Sequence, residues 1–476
     1  MVSQAVKKPL DILRLLLHYK SFTAGLVLLL MMVGLSVYAI VYHPYDRTIK
    51  MWYDFRAWED YPRLAKPAWV RFFTGVNELE GTIVLDSRAR DGGFIKTRIP
   101  VTYGGEVKGV YIVLEATFKY NYDTLPSQIV RWLFINSSKP VYVTIEWIKP
   151  EGTIVNISRL VLNQGEFYAD LTKGSQDFVL EYTRYIATKL GITPEEELSN
   201  LAVLMGKEDP DIFSKDVKPS KGVYKIVVRA ESSDPNADVD IKVNIYGTLY
   251  GLAGTDEYRR DLFIAVAWGA PIALSFGLLA SVLTTLIQMF IAATSAWFGG
   301  VVDNIIQRLN EIFMILPFLP IVAMIALFYR LTIWSLLAVV VALGIWGSGM
   351  KTFRAMFLQI KEMPYIEAAK AYGAGDLRII IRYMIPRVMP MIIPIIVISI
   401  PSYVFLEAAL ALLGLSDPTT ITWGKTLEEA YAGAAMYRGY YHWILAPAAM
   451  LFLISIAFAS IGYTLDRVFN PRLKEM

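Results

Sequence analysis

"LFIAVAWGAPIALSFGLLASVLTTLIQMFIAATSAWFGGVV", residues 262 to 302, runs for about 41 residues without a charged side chain. A hydrocarbon core of roughly 30 Å needs about 20 helical residues, so the run is long for one crossing and short for two with a turn. Which of the two it is fixes the side of the membrane for everything after it. Charge decides. The N-terminus carries Lys7, Lys8, Arg14 and Lys20 against Asp11. Residues 351 to 387 carry Lys351, Arg354, Lys361, Lys370, Arg378, Arg382 and Arg387 against Glu362, Glu367 and Asp376. Segments rich in Lys and Arg beside membrane spans stay cytoplasmic, so an even number of crossings separates these two. Counting 262 to 302 as one long helix that ends near Trp297–Gly300 gives an even number, and counting it as two does not. One long helix is expected.

Working outward, the first apolar run is Phe22 to Tyr42, and others lie at 312 to 329, 331 to 350, 388 to 414 and 440 to 465, for six expected spans. The first is longer than the apolar stretch of a secretory signal and leads into "YHPYDR" rather than a small-residue cleavage site, so a retained anchor is expected. The same parity places 415 to 439 outside the cell and the tail with Arg467, Arg472 and Lys474 inside. Composition agrees with a mixed membrane and soluble chain: 476 residues, 55% hydrophobic and 19% charged. A net charge of +3 with no Lys/Arg block gives no reason to expect nucleic acid as a partner. The absence of cysteine removes disulfides and thiol chemistry, and His18, His43 and His442 are too scattered to form a metal ligand set.

Between the first two spans lie about 210 residues that the parity places outside the cell. "DVDIKVNIYG" (238 to 247) alternates Val239, Ile241, Val243 and Ile245 with Asp240, Lys242 and Asn244, the pattern of a strand with one buried face. "KPVYVTIEWIKP" (139 to 150) and "GVYKIVVRAESS" (222 to 233) are similarly rich in β-branched and aromatic residues. Two helices are expected to interrupt the strands: 175 to 191, capped by Ser175, and 193 to 206, capped by Thr193 with Pro194 in its first turn. Asn136 and Asn156 stand in N-x-S/T sequons.

"YIEAAKAYGAGDLRIIIRYMIP" (365 to 386) sits between two apolar runs yet is too charged to cross a bilayer. Pro364 suits the first turn of a helix, and residues 365 to 372 make about two turns. Gly373 and Gly375 allow a sharp stop before Asp376, which is expected to cap a second short helix ending at Pro386. The first helix is expected to lie along the membrane surface and to show Tyr365, Ile366, Ala369 and Tyr372 on one face. The small Ala368 and Ala369 admit a close partner, and Glu367 is placed to pair with it.

This stretch resembles the EAA loop of ABC importer permeases, in which Glu-Ala-Ala is followed by Gly and later by an Ile-x-Leu-Pro ending. Glu367, Ala368, Ala369, Gly373 and Pro386 fall on the pattern, while Tyr383-Met384-Ile385 replaces the Ile-x-Leu. "GTDEYRRDL" (254 to 262) resembles the GTD-x-x-GRD entry to the second span in the dipeptide/oligopeptide branch, with Arg259 in a Gly position. "WFGGVVDNIIQRLNEIFMILP" (297 to 317) resembles its FGG-x-x-D and R-x-x-D elements, with Glu311 in an Asp position. "LEAALALLGL" (406 to 415) and "TWGKTLEEA" (422 to 430) match the region of the last two spans, with Ala411 in a Ser position. The large external insertion lies outside the resemblance.

The resemblance implies a mainly α polytopic permease fold of about six spans. With the hydropathy and charge parity above, residues 1–43 are expected to hold the cytoplasmic N-terminus and first span, 44–255 an inserted extracytoplasmic β-rich α+β domain, and 256–476 the permease domain with its cytoplasmic loop at 351–387. The resemblance implies a plasma-membrane protein with both termini cytoplasmic, lipid around it, no catalytic or metal residues, and no cofactor in this chain. ATP and magnesium would belong to two cytoplasmic ATPase subunits, and a second permease subunit and an external solute-binding protein would complete the importer. The ATPase-coupling residues would be Tyr365, Ile366, Glu367, Ala368, Ala369, Tyr372, Gly373 and Asp376. Arg308, Glu311 and Glu407 are expected to be buried intramembrane contacts, which meet solute, tie helices together or hold the pair of permeases. Peptides are the leading cargo, with oligosaccharides the alternative. A membrane-anchored receptor would explain the outer domain but not the loop, and a secondary transporter would show inverted repeats, which the chain lacks. "GKT" at 424 to 426 ends like a Walker A motif, but Thr419 stands where that motif needs Gly.

Overall fold

The computed structural model describes residues 14–173, 177–193, 197–214, 216–329, 331–415 and 417–469. They form two compact units. One comprises the chain up to Tyr53 together with Leu262 onward, and the other is Asp54–Asp261.

The first unit begins with α1, Lys20–Tyr42, and a short amphipathic helix α2, Tyr45–Tyr53. Only one stripe of α1 is buried: Phe22, Gly25, Met32, Ser36 and Ala39. Its other faces carry exposed Val, Leu and Met, as suits a helix whose remaining solvent is lipid.

The Asp54–Asp261 unit is a two-sheet sandwich. Its strands are β1 Thr82–Asp86, β2 Phe94–Tyr103, β3 Glu106–Tyr120, β4 Gln128–Asn136, β5 Val141–Ile148, β6 Ile154–Leu162, β7 Gly165–Asp170, β8 Gly222–Ser232 and β9 Asp238–Tyr246. One sheet has the order β1-β9-β4-β7 and the other β2-β3-β8-β5-β6, and every pair is antiparallel. Leu133, Val239 and Ile241 from the first sheet share one core with Leu114, Val143, Trp147 and Ile226 from the second. Such interdigitated inner faces are what hold a sandwich together.

The unit's helices are α3 Arg71–Thr74, α4 Asp177–Leu190 and α5 Asn200–Met205. The expected cap Ser175 and the Pro194 turn lie outside the described residues. The second helix starts later than its sequence signals suggest. Residues 197 to 199 are not helical, and Ser199 is the cap, its side chain accepting from the Ala202 amide.

Strand β9 also departs from simple alternation. Val239, Ile241, Val243 and Ile245 face the core, yet Lys242, Asn244 and Tyr246 are buried too. The segment at 58 to 61 covers them: Asn244 Nδ2 donates to Asp60 Oδ1 at 2.8 Å, and the Tyr246 hydroxyl to the Glu59 carbonyl at 2.6 Å.

After the insertion, α6 is a single helix, Leu262–Phe298, as charge parity requires. Then come α7 Gly300–Ile315, α8 Phe318–Phe328, α9 Ile333–Gly344, α10 Ser348–Lys361, α11 Pro364–Ala371, α12 Asp376–Leu412, α13 Trp423–Ala432 and α14 Tyr441–Phe469. Among the described residues, four helices (α1, α6, α12, α14) are long and apolar enough to cross a bilayer, and six spans result if each of two bent pairs counts as one.

The bent pairs qualify the expected spans at 312 to 329 and 331 to 350. α7 and α8 meet at 81° because Pro317 interrupts the helix. α9 and α10 meet at 53°, where the Gly347 amide donates to Asn310 Oδ1 at 2.7 Å and Asn310 Nδ2 returns a bond to the Gly347 carbonyl at 3.2 Å. That side chain satisfies backbone groups the break would otherwise leave bare in an apolar setting.

Glycines set the closest approaches in the bundle. A Cβ on Gly25 would lie 2.7 Å from the Ala457 carbonyl of α14, and one on Gly269 would fall within the Trp423 ring. Small residues at crossings let membrane helices pack where no hydrophobic force drives them together.

Candidate functional site

α11 follows from its sequence. Met363 is extended, Pro364 occupies the first turn, where its missing amide costs nothing, and Gly373 ends the helix in the left-handed region at φ +78°. The closing bonds, Gly373 N to Lys370 O at 2.9 Å and Ala374 N to Ala369 O at 3.0 Å, form a Schellman stop. Gly375 has an ordinary φ of −68° and holds the cap position of α12 that was expected of Asp376. Asp376 lies one residue later, in the first turn, where a carboxylate favours the helix dipole.

α12 does not stop at Pro386. A π-turn over Ile380–Met384 precedes Pro386, and the helix runs on to Leu412. Widening the turn ahead of the proline removes the clash and the missing bond that would otherwise break it.

The structure divides the expected partner face of α11. Ile366 and Ala369 are buried among Ala293, Ala296 and Trp297 of α6, Phe353 and Phe357 of α10, and Ile379, Ile380 and Met384 of α12. Tyr365 and Tyr372 are exposed instead, Tyr372 at 92%. The outward side is completed by Glu367, Ala368 and Ala371, all exposed. Ile366 and Ala369 therefore hold the helix to the bundle, and the free surface is Tyr365, Glu367, Ala368, Ala371 and Tyr372. Among the described residues Glu367 has no ion-pair partner within 4 Å.

Two lysines fasten this region to the end of α6. Lys361 Nζ donates to the carbonyls of Ala296 (3.1 Å) and Trp297 (2.8 Å), and Lys370 Nζ lies 4.5 Å above the Trp297 ring. Arg354 of α10 grips Asp303 of α7 with two parallel bonds, Nε to Oδ1 at 2.7 Å and Nη2 to Oδ2. Asp303 also accepts from Ser295 of α6. The pair is far apart in sequence, and its only advance signal was Asp303 in the FGG-x-x-D stretch.

The three polar residues expected inside the membrane separate. Glu407 is buried and accepts from Thr422 Oγ1 at 2.8 Å. Arg308 and Glu311 are not buried: their side chains are 84% and 43% exposed, paired with each other at 3.2 Å, and Glu311 also faces Lys351 at 3.5 Å. They lie on the outer side of α7, whose only buried residue is Asn310.

The Walker-like "GKT" is the start of α13. Thr422 caps it by accepting from the Lys425 amide, Trp423 Nε1 donates to the Val266 carbonyl at 2.9 Å, and Lys425 pairs with Glu428 at 2.6 Å. A Cβ at Gly424 would lie 2.7 Å from Ala408 Cα and 2.8 Å from Ala411 Cβ, so this glycine is a packing residue against α12.

The bundle thus pins a short polar helix against three of its own helices and leaves one face of that helix exposed, within a chain whose long apolar helices define a polytopic membrane protein. The model of the family described as binding-protein-dependent transport system inner membrane component matches residues 286–475. The chain is 31% identical over 225 residues to the dipeptide transport system permease protein DppC of Lactococcus lactis, covering 47% of this chain and 64% of that protein. It is 30% identical over 222 residues to the oligopeptide transport system permease protein OppC of Escherichia coli, covering 46% and 72%. The corresponding figures for DppC of Bacillus subtilis are 28% over 222 residues, 46% and 68%. The chain belongs to the family of binding-protein-dependent transport system inner membrane components, in its dipeptide/oligopeptide permease branch. It is a multi-pass membrane protein, and its relatives are transport permeases rather than enzymes.

Proposed function

We propose that this chain is one of two permease subunits of an ABC importer, forms half of the translocation path for peptides, and takes its power from cytoplasmic ATPase subunits that dock on α11. The observation that carries the reading is the division of that helix, with Ile366 and Ala369 buried in the bundle while Glu367, Ala368, Ala371 and Tyr372 are bare. A rigid-body push on such a helix passes directly to α6, α10 and α12, which hold it. ATP-driven closure of the ATPase pair would then switch the spans between inward- and outward-facing arrangements. Residues 351–387 and both termini are cytoplasmic in this reading, and the sandwich is extracytoplasmic, where it meets the solute-binding protein. Peptide cargo is supported by the names of the relatives, and a panel of peptides and oligosaccharides offered to the cognate binding protein tests it.

Coupling is tested in the assembled importer with Glu367→Lys and Gly373→Val. The first reverses a charge on the bare face. The second puts a β-branched residue at φ +78°, although a Cβ there meets nothing within 4 Å, so the damage is confined to the local turn. Loss of a charge-assisted contact worth about 1.5–3 kcal/mol predicts a roughly 10- to 150-fold fall in coupling. Both variants should reach the membrane at normal levels yet lose uptake and the ATP hydrolysis stimulated by loaded binding protein. Normal uptake and hydrolysis in both would show that α11 is an ordinary surface helix.

A further inference from the structure

Strand β6 is an outer strand of the five-stranded sheet and pairs only with β5. Between it and α4 runs a cleft of about 370 Å³, with residues 152 to 156 on one wall and Phe178, Glu181, Tyr182 and Tyr185 on the other. Side chains of a strand alternate between faces, so a wall of five consecutive residues is the backbone edge itself. The ladder shows which groups that edge presents. The Lys149 amide donates to the Thr153 carbonyl at 3.0 Å, which turns Thr153 toward β5. By alternation, the N–H and C=O of Ile154 and Asn156 point away from β5. Among the described residues neither makes a backbone hydrogen bond outside the ladder.

An open edge is a template for another strand, and edges that stay unused are blunted with charges and proline. β2, the other edge of the same sheet, carries Lys96, Arg98 and Pro100, whereas β6 from Ile154 to Ser158 has neither charge nor proline. The facing wall is held in place. The Tyr182 hydroxyl accepts from Lys149 Nζ at 2.8 Å and donates to Glu208 Oε1 at 2.9 Å, and the Tyr182 and Tyr185 rings lie 6.0 Å apart. Glu181 is exposed, and among the described residues it has no ion-pair partner within 4 Å. The cleft thus combines unpaired backbone donors and acceptors, an aromatic flank and a free carboxylate. Its volume is at the low end for small-ligand pockets, and the outward groups of Ile154 and Asn156 are about 7 Å apart. A short single strand fits there; the edge of a second sheet, bringing its own covering helix, does not.

We propose that this cleft binds a short peptide in extended form, as an added strand beside β6, with a cationic group of the peptide against Glu181. The inserted domain then contacts peptide on its own account. The site is read from the sandwich alone, so it stands or falls separately from the proposal that peptides pass through the spans.

The test titrates the purified full chain in detergent with the peptide Lys-Val-Thr-Val-Ala by calorimetry, and saturable one-site binding is expected. Two analogues carry an N-methyl group, one on the second residue and one on the third. Successive amides of a strand face opposite edges, so one analogue should bind roughly tenfold more weakly and the other like the parent. Ile154→Pro removes an outward N–H without touching the ladder and should weaken the parent peptide to a similar degree. Glu181→Gln and the charge-free peptide acetyl-Gln-Val-Thr-Val-Ala should each weaken binding by about tenfold, and the two together by no more than either alone. Equal melting temperatures confirm that the variants are folded; if Ile154→Pro melts lower, the methylated peptides and Glu181→Gln carry the test. No saturable binding at millimolar peptide, two analogues that bind alike, a Glu181→Gln variant that binds as before, or a chain that pairs with a second copy through β6 instead of binding peptide would each overturn the proposal. Uptake of the same peptide by the assembled importer is read separately. Uptake without binding to this chain sinks the cleft and leaves the transport reading standing, and binding without uptake does the reverse.

Discussion

Arg259 shows how one side chain can outweigh the backbone it sits on. The resembling permeases have Gly at this position, and the reason is visible in φ +68°, a conformation that costs an L-residue roughly 1–2 kcal/mol. Here the guanidinium recovers that cost. It donates to the Tyr61 carbonyl at 2.7 Å and to Gln128 Oε1 at 2.6 Å, and it lies 4.0 Å over the Tyr246 ring. Arg259→Ala keeps the strain and loses the bonds, while Arg259→Gly loses the bonds but relieves the strain. With charge-assisted bonds worth about 1.5–3 kcal/mol, Ala should cost roughly 2–3 kcal/mol and Gly only about 1. Thermal unfolding of the purified full chain checks the order, and a Gly variant as unstable as the Ala variant would show that φ at 259 carries no strain. The sequence marked position 259 as a departure but gave no partners, because Tyr61 and Gln128 are distant in the chain. Glu407 and Thr422 were likewise legible as polar residues and not as a pair. Arg308 and Glu311 pair with each other as their i, i+3 spacing suggested but are exposed rather than buried, since their place between two apolar runs does not say which side of the helix they occupy.

Elements were legible where periodicity or caps are local, and less so where one element covers another. β5, β8 and β9 lie where alternation puts them, and α6 is the single helix that charge parity demands. The kinks at Pro317 and Gly347 were missed, because hydropathy registers apolar length but not bends. The junction of β5 with α4 and α5 was also invisible. There Lys149 is fully buried, donates to the Tyr182 hydroxyl at 2.8 Å and to the Gly206 carbonyl, and stands 3.8 Å from Glu208. Burial pushes its ammonium down to about 8 from the usual 10.5, against the pull of Glu208. Between about pH 8 and 10.5 the unfolded chain therefore holds a proton that the folded chain does not. The stability of the sandwich should rise across that window, by up to roughly 3 kcal/mol. Above about pH 10 the sign reverses: burial raises the hydroxyls of Tyr120, Tyr182 and Tyr224, and pushes that of Tyr246 up to about 12, so the folded state keeps protons that the unfolded state loses. Melting temperature against pH should peak near the top of the lysine window. Lys149→Met should remove the rising limb and leave the falling one; a rising limb that survives in the variant would exclude Lys149 as its origin.

At the scale of the whole molecule, the question is whether a sandwich inserted between two membrane helices is a separate folding unit. Its core says so: both sheets, α4 and α5 close on one continuous cluster drawn entirely from residues between Leu79 and Ile245. Its size is also that of an ordinary domain. The sequence suggested limits at 44 and 255 from hydropathy, whereas the structural unit is Asp54–Asp261, and the difference matters. The Ala65 amide donates to Thr255 Oγ1 at 2.9 Å, Thr255 Oγ1 to the Pro62 carbonyl at 2.7 Å, and the Leu64 amide to the Asp256 carbonyl at 3.0 Å. Asp256 in turn receives the amides of Tyr258 and Arg260, each at 2.8 Å, and pairs with Arg260 Nε at 2.5 Å in a buried setting. These bonds staple the entering and leaving chains together. A fragment of residues 54–261 should therefore be soluble and unfold in one cooperative step. A fragment of residues 54–250 keeps the same core but loses the staple and the Arg259 contacts. At roughly 0.5–1.5 kcal/mol for each of several bonds, the loss should reach a few kcal/mol, and at about 2–4 °C per kcal/mol for a domain this size the shorter fragment should melt on the order of 10 °C lower. Scanning calorimetry of both fragments decides the matter: equal melting temperatures would confine stability to the sheets, and a longer fragment without a cooperative transition would show that the sandwich depends on the membrane unit to fold.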